Sequence, residues 1–151
     1  MESENIRELF QIMTRRFGLL NKNCCSTDNY KISLAQSHIL YEINHQSKPS
    51  MQMVSETLGI DITTFSRQIQ NLIKMGLVRK IADPSDKRVF ILYLTAEGKK
   101  VNQSIDNRMN NYLKDVFSHM NEFEQETVIR SVKLLNASMN KTNNSCKEPI
   151  S

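Results

Sequence analysis

Apolar residues recur every three or four positions along most of the chain, a period that predicts a protein built mainly from α-helices. The first stripe predicts a helix over residues 4–22. Ser33 is followed three positions later by Gln36, a capping-box pattern that predicts the start of a second helix, ending near residues 47–49. The pattern therefore places two helices before residue 50.

Two further helices are predicted on either side of Gly59. Ser50 is a suitable N-cap for a short third helix, and Gly59 is a suitable left-handed residue to end it. Asp61 is then a suitable N-cap for a fourth helix that runs to Gly76. Its apolar stripe consists of Ile62, Phe65, Ile69, Leu72 and Ile73. A turn between two short helices is the pattern of a helix-turn-helix.

The period changes from helical to alternating after Gly76. Residues 77–81 and 89–95 are short and rich in branched and aromatic side chains, which predicts the two strands of a hairpin. Thr95 is a suitable cap for a long fifth helix, and Asn121 with Glu124 predicts the start of a sixth. The polar residues 141–151 are expected to form a disordered tail.

Composition supports a single, mainly α-helical fold. The 151 residues are 39% apolar and include four Gly and three Pro. The first ten residues are polar and acidic, and no apolar run approaches the length of a membrane span, so we expect a cytoplasmic protein without a membrane partner. The three cysteines are expected to be free thiols. The three histidines show no ligand spacing, so neither a metal nor another cofactor is predicted.

The polar face of the fourth helix indicates contact with DNA. It is cationic and contains no acid, as a helix in the major groove requires, since its side chains must bond base edges without repelling phosphates. The candidate DNA-binding residues of this helix are Thr63, Thr64, Ser66, Arg67, Gln68, Gln70 and Lys74.

The loop of the hairpin predicts a second contact. Lys87 and Arg88 are candidates for the adjacent minor groove, which is narrow and negative. Asp86 is close enough in sequence to orient the Arg88 guanidinium, and Asp83 before Pro84 favours the turn. A solvated turn is the ordinary alternative for a charged hairpin tip taken alone.

Residues 63–100, "TTFSRQIQNLIKMGLVRKIADPSDKRVFILYLTAEGKK", resemble the winged-helix core of the MarR family of bacterial transcriptional regulators. Residues 33–40 and 50–60 resemble the two preceding helices of that family. The matching positions are Gly76, Leu77, Val78, Arg79, Asp83, Pro84, Asp86, Arg88, Leu94, Thr95 and Gly98. The resemblance implies a DNA-binding lobe over residues 33–100, a two-stranded β wing, and flanking helices in residues 1–32 and 101–140 that form a dimerisation region.

The resemblance also implies a homodimer that binds an inverted-repeat operator in double-stranded DNA. Repression is expected, because a dimer that covers a promoter blocks polymerase by occupancy. Family members usually release DNA when a small aromatic molecule binds or a cysteine is oxidised, which makes Cys24 and Cys25 candidate sensors. Two small buried residues are one alternative interpretation of this pair. Adjacent thiols could also hold a soft ion such as a trivalent metalloid, or react with electrophiles.

Two other functions are weighed against DNA binding. A small thiol oxidoreductase using Cys24 and Cys25 lacks a CxxC after a strand, a phosphate loop and paired catalytic acids. A winged helix used as a protein-interaction module would favour a neutral or acidic recognition face. Residues 51–100 instead contain eight Lys and Arg against five Asp and Glu. The sequence therefore favours a DNA-binding regulator that is not an enzyme.

Overall fold

The computed structural model describes residues 5–19, 24–27 and 29–142. Within these ranges it contains six helices and one two-stranded antiparallel sheet. In chain order the elements are α1 (Ile6–Arg16), α2 (Leu34–His45), α3 (Met51–Leu58), α4 (Ile62–Lys74), β1 (Val78–Ala82), β2 (Phe90–Leu94), α5 (Ala96–Ser118) and α6 (Glu122–Lys141). The chain divides into two compact units, residues 1–106 and 107–151. The fold is mainly helical with a two-stranded wing, as the sequence predicts.

Polar side chains fix the starts of the helices, at the predicted positions. The Ser33 hydroxyl accepts from the Gln36 amide at 3.1 Å, and the Gln36 side chain accepts from the Ser33 amide at 3.0 Å. Ser50 and Asp61 cap α3 and α4 in the same way, each accepting from the amide three residues on. Gly59 ends α3 with φ +64°. These bonds satisfy backbone donors that the helix itself leaves unpaired.

Helix α1 is shorter than the sequence predicts. It ends at Arg16, and Gly18 adopts a φ of +83° soon afterwards. A residue in this left-handed conformation cannot continue an α-helix, although the apolar period runs on through Phe17. The predicted extent to residue 22 is therefore wrong from Phe17 to Leu19, and residues 20–22 lie outside the described ranges.

The core of the first unit lies beneath α2, α3, α4 and the sheet. Phe65, Ile69 and Leu72 of α4 are at most 1% exposed, and they pack in one cluster with Ile32 and Leu92. The outer members of the predicted stripe do not reach this core, because Ile62 is 53% exposed and Ile73 is 37% exposed. The apolar stripe of α4 is therefore buried in its middle and exposed at Ile62 and Ile73.

The wing is a hairpin that also pairs with the α2–α3 connection. Val78 pairs with Leu94 and Ala82 pairs with Phe90. β1 is therefore shifted by one residue from the predicted 77–81, and β2 is one residue shorter at each end than the predicted 89–95. The Leu92 amide donates to the Pro49 carbonyl at 2.8 Å, and Ser50 forms an isolated bridge with Ile91. The start of α3 is thereby joined to β2.

The start of α5 is fixed against the beginning of β1. The Thr95 hydroxyl donates to the Gly76 carbonyl at 2.6 Å and accepts from the Gly98 amide at 3.0 Å, while the Thr95 amide donates to the Leu77 carbonyl at 3.0 Å. A Cβ on Gly98 would lie 2.0 Å from the same Leu77 carbonyl oxygen. Only glycine allows this approach.

The second unit contains the end of α5 and all of α6. Asn121 caps α6 in a capping box with Glu124, as predicted, and the Gln125 side chain donates to the carbonyls of Phe117 and Met120. The predicted disordered tail begins at residue 141, which is the last residue of α6; residues 143–151 lie outside the described ranges. Among the described helices, none is long and apolar enough to cross a membrane.

Candidate nucleic-acid interface

Four exposed polar residues form one ridge along α4. Thr63, Arg67, Gln70 and Lys74 are spaced by four, three and four residues, which places them on one face of an α-helix. All four are exposed, whereas Phe65, Ile69 and Leu72 on the opposite face are buried. The ridge offers hydroxyl, guanidinium, amide and ammonium groups, and no residue of α4 is acidic. It can donate and accept hydrogen bonds at base edges without repelling phosphates.

The remaining polar candidates of α4 lie beside the ridge. Thr64, Ser66 and Gln68 are half-buried. The side-chain oxygen Oε1 of Gln68 is buried and has no hydrogen-bond partner. Gln68 occupies the edge of the helix that turns toward the core, a consequence of its position between Phe65 and Leu72. Sequence alone does not separate these three residues from the ridge, because the polar pattern shows only roughly which side of the helix is exposed to solvent.

Asp61 holds the first turn of α4 in place. Its carboxylate accepts from the Thr64 amide at 3.1 Å. Hydrogen bonding to Thr64 and, to a lesser extent, the positive charge of Arg67 lower the pKa of Asp61 below its ordinary value. The only charge at the N-terminal end of this helix is thus a capping carboxylate, and the cations of the ridge follow it.

The wing loop presents Arg88 in a fixed orientation. Arg88 Nε lies 3.2 Å from Asp86 Oδ1, which also accepts from the Arg88 amide at 3.1 Å. The hydrogen bond expected between these two side chains is present, and 91% of the arginine side chain remains exposed. Asp83 accepts from the amide and hydroxyl of Ser85, and these bonds lower its pKa. The loop acids therefore order the backbone beneath the exposed Lys87 and Arg88.

Two cations near the wing were not predicted as site residues. Lys48 has φ +47° and lies close enough to lower the pKa of Asp83 through its charge. Lys80 of β1 places its ammonium 4.7 Å from the centre of the Phe90 ring, a cation–π arrangement that restrains an exposed side chain. The register of β1 and β2 brings Lys80 next to Phe90. The hydrogen bond between Pro49 and Leu92 of β2 brings the neighbouring Lys48 close to the wing. Neither relation is visible from sequence spacing.

Cys24 and Cys25 lie next to the core of the first unit. Their sulfur atoms are 3.1 Å apart; Cys25 is 6% exposed and belongs to the core cluster, while Cys24 is half-buried. Burial, with the neighbouring Cys25 thiol, raises the pKa of Cys24 to about 11. Cys24 is therefore a protonated thiol at neutral pH, which disagrees with the cation-stabilised thiolate of a reactive cysteine. Two lysines near the pair in sequence are the candidates for such a cation: Lys31 is exposed, and Lys22 lies outside the described ranges.

A small polar cavity of about 220 Å³ lies between the 24–32 segment and the start of α5. The Tyr30 hydroxyl donates to Glu97 Oε2 at 3.5 Å, and Glu97 Oε1 lies 3.6 Å from Lys100 Nζ. The cavity thus combines a phenol, a carboxylate and an ammonium group. No group of three or more His, Cys, Asp or Glu that could hold a metal ion occurs among the described residues.

Comparison with known proteins gives one consistent result. Residues 32–90 match the family model described as MarR family. The HTH-type transcriptional regulator BilQ of Clostridioides difficile strain CD3 is 27% identical over 121 residues, covering 78% of this chain and 80% of that protein. SarT of Staphylococcus aureus strain NCTC 8325 / PS 47 is 26% identical over 120 residues, covering 78% and 90%. Both relatives are named as HTH-type transcriptional regulators.

Solved structures share the fold at lower identity. FabT of Streptococcus pneumoniae, crystallised in complex with DNA, has a TM-score of 0.78 at 18% identity and covers 89% of this chain and 94% of its own. PcaV of Streptomyces coelicolor, in complex with its natural ligand, has a TM-score of 0.68 at 19% identity, with coverages of 91% and 94%. The apo form of MarR from E. coli has a TM-score of 0.70 at 19% identity, with coverages of 89% and 98%.

Proposed function

We propose that this chain is a transcriptional regulator of the MarR family and that it acts as a homodimeric repressor of an inverted-repeat operator. The observation that carries the proposal is the acid-free ridge of α4 in the same unit as an exposed Arg88 oriented by Asp86. The ridge enters the major groove and Arg88 enters the adjacent minor groove. The DNA complex of FabT, a protein of the same fold, supports duplex DNA as the partner.

The apolar faces of α1 and α6 support self-association. No described residue of either helix is buried in the single chain. Ile6 of α1 is 67% exposed, and Phe123 and Leu134 of α6 are 77% and 69% exposed. Water-exposed apolar surface on this scale is costly and is characteristic of interfaces between proteins. A two-fold dimer places two α4 ridges about 10 bp apart, the spacing of half-sites on one face of DNA.

Repression follows from occupancy, and release is proposed to occur through a small ligand or thiol modification. A dimer on a promoter excludes polymerase without a further contact surface. The polar cavity bounded by Tyr30, Glu97 and Lys100 supports a small ligand with both charged and hydrogen-bonding groups. The structure of PcaV in complex with its natural ligand supports ligand binding by proteins of this fold.

The DNA contact is tested by fluorescence anisotropy on the DNA upstream of the protein's own gene. Arg88→Ala should weaken binding by roughly 10-fold or more, in line with about 1–3 kcal/mol for a groove-inserted arginine. Arg130→Ala, which removes the same charge from an exposed position of α6, is the matched control and should bind like wild type. Equal isotherms for Arg88→Ala and wild type would refute the wing contact.

Salt dependence distinguishes phosphate contact from protein interaction. If a dimer neutralises about six to ten phosphates, its affinity should fall by roughly 10³-fold or more between 50 and 200 mM salt. Arg88→Ala should reduce the slope of log affinity against log salt. A protein-interaction module would show no salt-dependent affinity for duplex DNA at all.

The dimer is tested by sedimentation velocity. Ile129, Val132 and Met139 share one face of α6 and are each 45–54% exposed. Val132→Glu should therefore shift the protein toward monomer, because it places a charge in the middle of this apolar face. Asn44→Glu introduces a charge of the same sign at an exposed position of α2, outside both α1 and α6, and should leave the mass unchanged. A wild-type protein that sediments as a monomer at micromolar concentration would contradict the dimer.

A further inference from the structure

We propose that Cys24 and Cys25 form a two-thiol chelating site for trivalent arsenicals that carry one organic group. The two sulfur atoms are 3.1 Å apart, and both cysteines are free. A metal–sulfur bond is about 2.3 Å long, so two such bonds meeting near a right angle span roughly 3.3 Å. One soft atom can thus bind both sulfurs without moving them far apart.

The number of ligands selects this class of compound. The described residues offer no third His, Cys, Asp or Glu with which the pair could form a metal site. A site with two thiols suits an element that brings its own third substituent, as a monosubstituted arsenic(III) compound does. Ions that require four protein ligands, such as structural zinc, do not match it.

Cys24 reacts from its protonated form. Burial and the neighbouring thiol keep the pKa of Cys24 near 11, so simple thiolate chemistry at neutral pH is slow. An organoarsenic(III) oxide needs no thiolate beforehand. Two As–S bonds form, the As=O bond breaks, and the oxygen leaves as water with both thiol protons. Arsenic remains trivalent and neither sulfur is oxidised, so no further reactant is required.

Cys25 connects the site to the core of the DNA-binding lobe. It packs in the same cluster as Ile32 and as Phe65 of α4. Two hydrogen bonds hold the residues that follow Cys25: the Ile32 amide donates to Ser26 Oγ at 3.1 Å, and the Thr27 amide donates to the Tyr30 carbonyl at 2.9 Å. Bulk attached to Cys25 does not fit a position that is 6% exposed, so the adduct requires the packing around Cys25 to loosen. The ligand therefore stabilises a loosened form of the lobe.

The site is tested with phenylarsine oxide and intact-mass spectrometry on protein reduced with a thiol-free phosphine. In the presence of excess monothiol, wild type should keep one adduct whose mass is that of the probe less one water. Cys146→Ser, which removes the third cysteine, should keep the same adduct. Cys24→Ser and Cys25→Ser should each lose it, since a single As–S bond exchanges with the monothiol. An adduct that survives in either variant, or that disappears in Cys146→Ser, overturns the site.

Folding of the variants is checked by circular dichroism, and Cys24→Ser is the more informative of the two because Cys24 is only half-buried. The regulatory consequence rests on the proposed function and has a separate measurement. The probe should dissociate preformed DNA complexes of wild type and Cys146→Ser, while complexes of Cys24→Ser persist. A wild-type complex that survives full adduct formation overturns the coupling. Failure of every protein to bind DNA would instead refute the proposed function and leave the mass result standing.

Discussion

Helices α4 and α6 both repeat apolar residues at helical spacing, yet they differ completely in burial. Phe65, Ile69 and Leu72 of α4 are buried, whereas α6 has 20 residues and buries none of them. The amphipathic pattern is the same kind of signal in both helices, because it records only that one face avoids water. In α4 the core of the first unit covers the apolar face, whereas among the described residues the apolar side chains of α6 stay exposed or half-buried. The comparison teaches that an amphipathic pattern does not show which surface covers the apolar face; for α6 we propose a second copy of this chain.

The largest expected effect tests how tightly the first unit is packed. Gly98→Ala should destabilise it by about 4 kcal/mol or more, because the new Cβ would lie 2.0 Å from the Leu77 carbonyl oxygen, a backbone atom. Gly76→Ala is the control, since φ there is +77° and nothing lies within 4 Å, so only backbone strain of about 1–2 kcal/mol is expected. Urea unfolding measures both. A similar loss of unfolding free energy in both variants would show that backbone strain, and not the close approach to Leu77, causes the destabilisation.

The second effect compares the same substitution in the two helices. Leu72→Ala should lower the free energy of unfolding by about 3 kcal/mol, because it leaves a cavity at a fully buried position. Leu134→Ala, at a position 69% exposed, should cost under about 0.5 kcal/mol in dilute protein. It should, however, reduce the dependence of Tm on protein concentration. If Leu134→Ala lowered the free energy of unfolding strongly at every protein concentration, the proposed difference in burial between α4 and α6 would be wrong.

The third prediction compares two residues that should behave alike in the two units. Ser33 and Asn121 are both N-caps within capping boxes, one in each unit. Each alanine substitution should cost about 1 kcal/mol, since a cap acts through local hydrogen bonds and does not depend on burial. Thermal unfolding of the two variants provides the measurement. A much larger loss for Asn121→Ala would indicate that the start of α6 carries more than its cap.

The smallest effect is the response of the two caps to acid. The pKa of Asp61 is lower in the folded chain than its ordinary value of 3.8, so its stabilising effect is present above that pH and is lost as pH falls through the folded pKa. Asn121 does not titrate. Hydrogen exchange of the Thr64 amide should therefore accelerate in acid relative to that of Glu124. Asp61→Asn should remove the difference, and an unchanged acid response in this variant would assign it to another group.

Local chemistry made the helix starts predictable. Ser33, Ser50, Asp61, Thr95 and Asn121 all accept a hydrogen bond from an amide of the first turn, because a cap and its amide partner lie three residues apart in sequence. The end of α1 was not predicted, since Gly18 competes with an apolar period that continues past it. A period indicates which residues avoid water, and it does not fix the backbone angle of one glycine.

The candidate site was predictable in its chemistry and not in its detail. The absence of acids on α4 and the pairing of Asp86 with Arg88 depend on short sequence distances. The reduction of seven candidates to the ridge of Thr63, Arg67, Gln70 and Lys74 depends on how α4 is rotated against the core, a tertiary property. The contact of Lys80 with Phe90 depends likewise on strand register. Contacts between residues that are distant in sequence cannot be predicted from the spacing of residues along the chain.

The bridge between the α2–α3 connection and β2 has a consequence for operator choice. Pro49 and Ser50 tie the start of α3 to β2, and the buried face of α4 packs in the same cluster as Leu92 of β2. The parts that would occupy two neighbouring grooves are therefore held to one strand and do not adjust independently. In a complex of the proposed kind, any mismatch in groove spacing is then accommodated by bending or twisting of the duplex. Flexible base steps between the contacted positions would favour binding even though no side chain touches them.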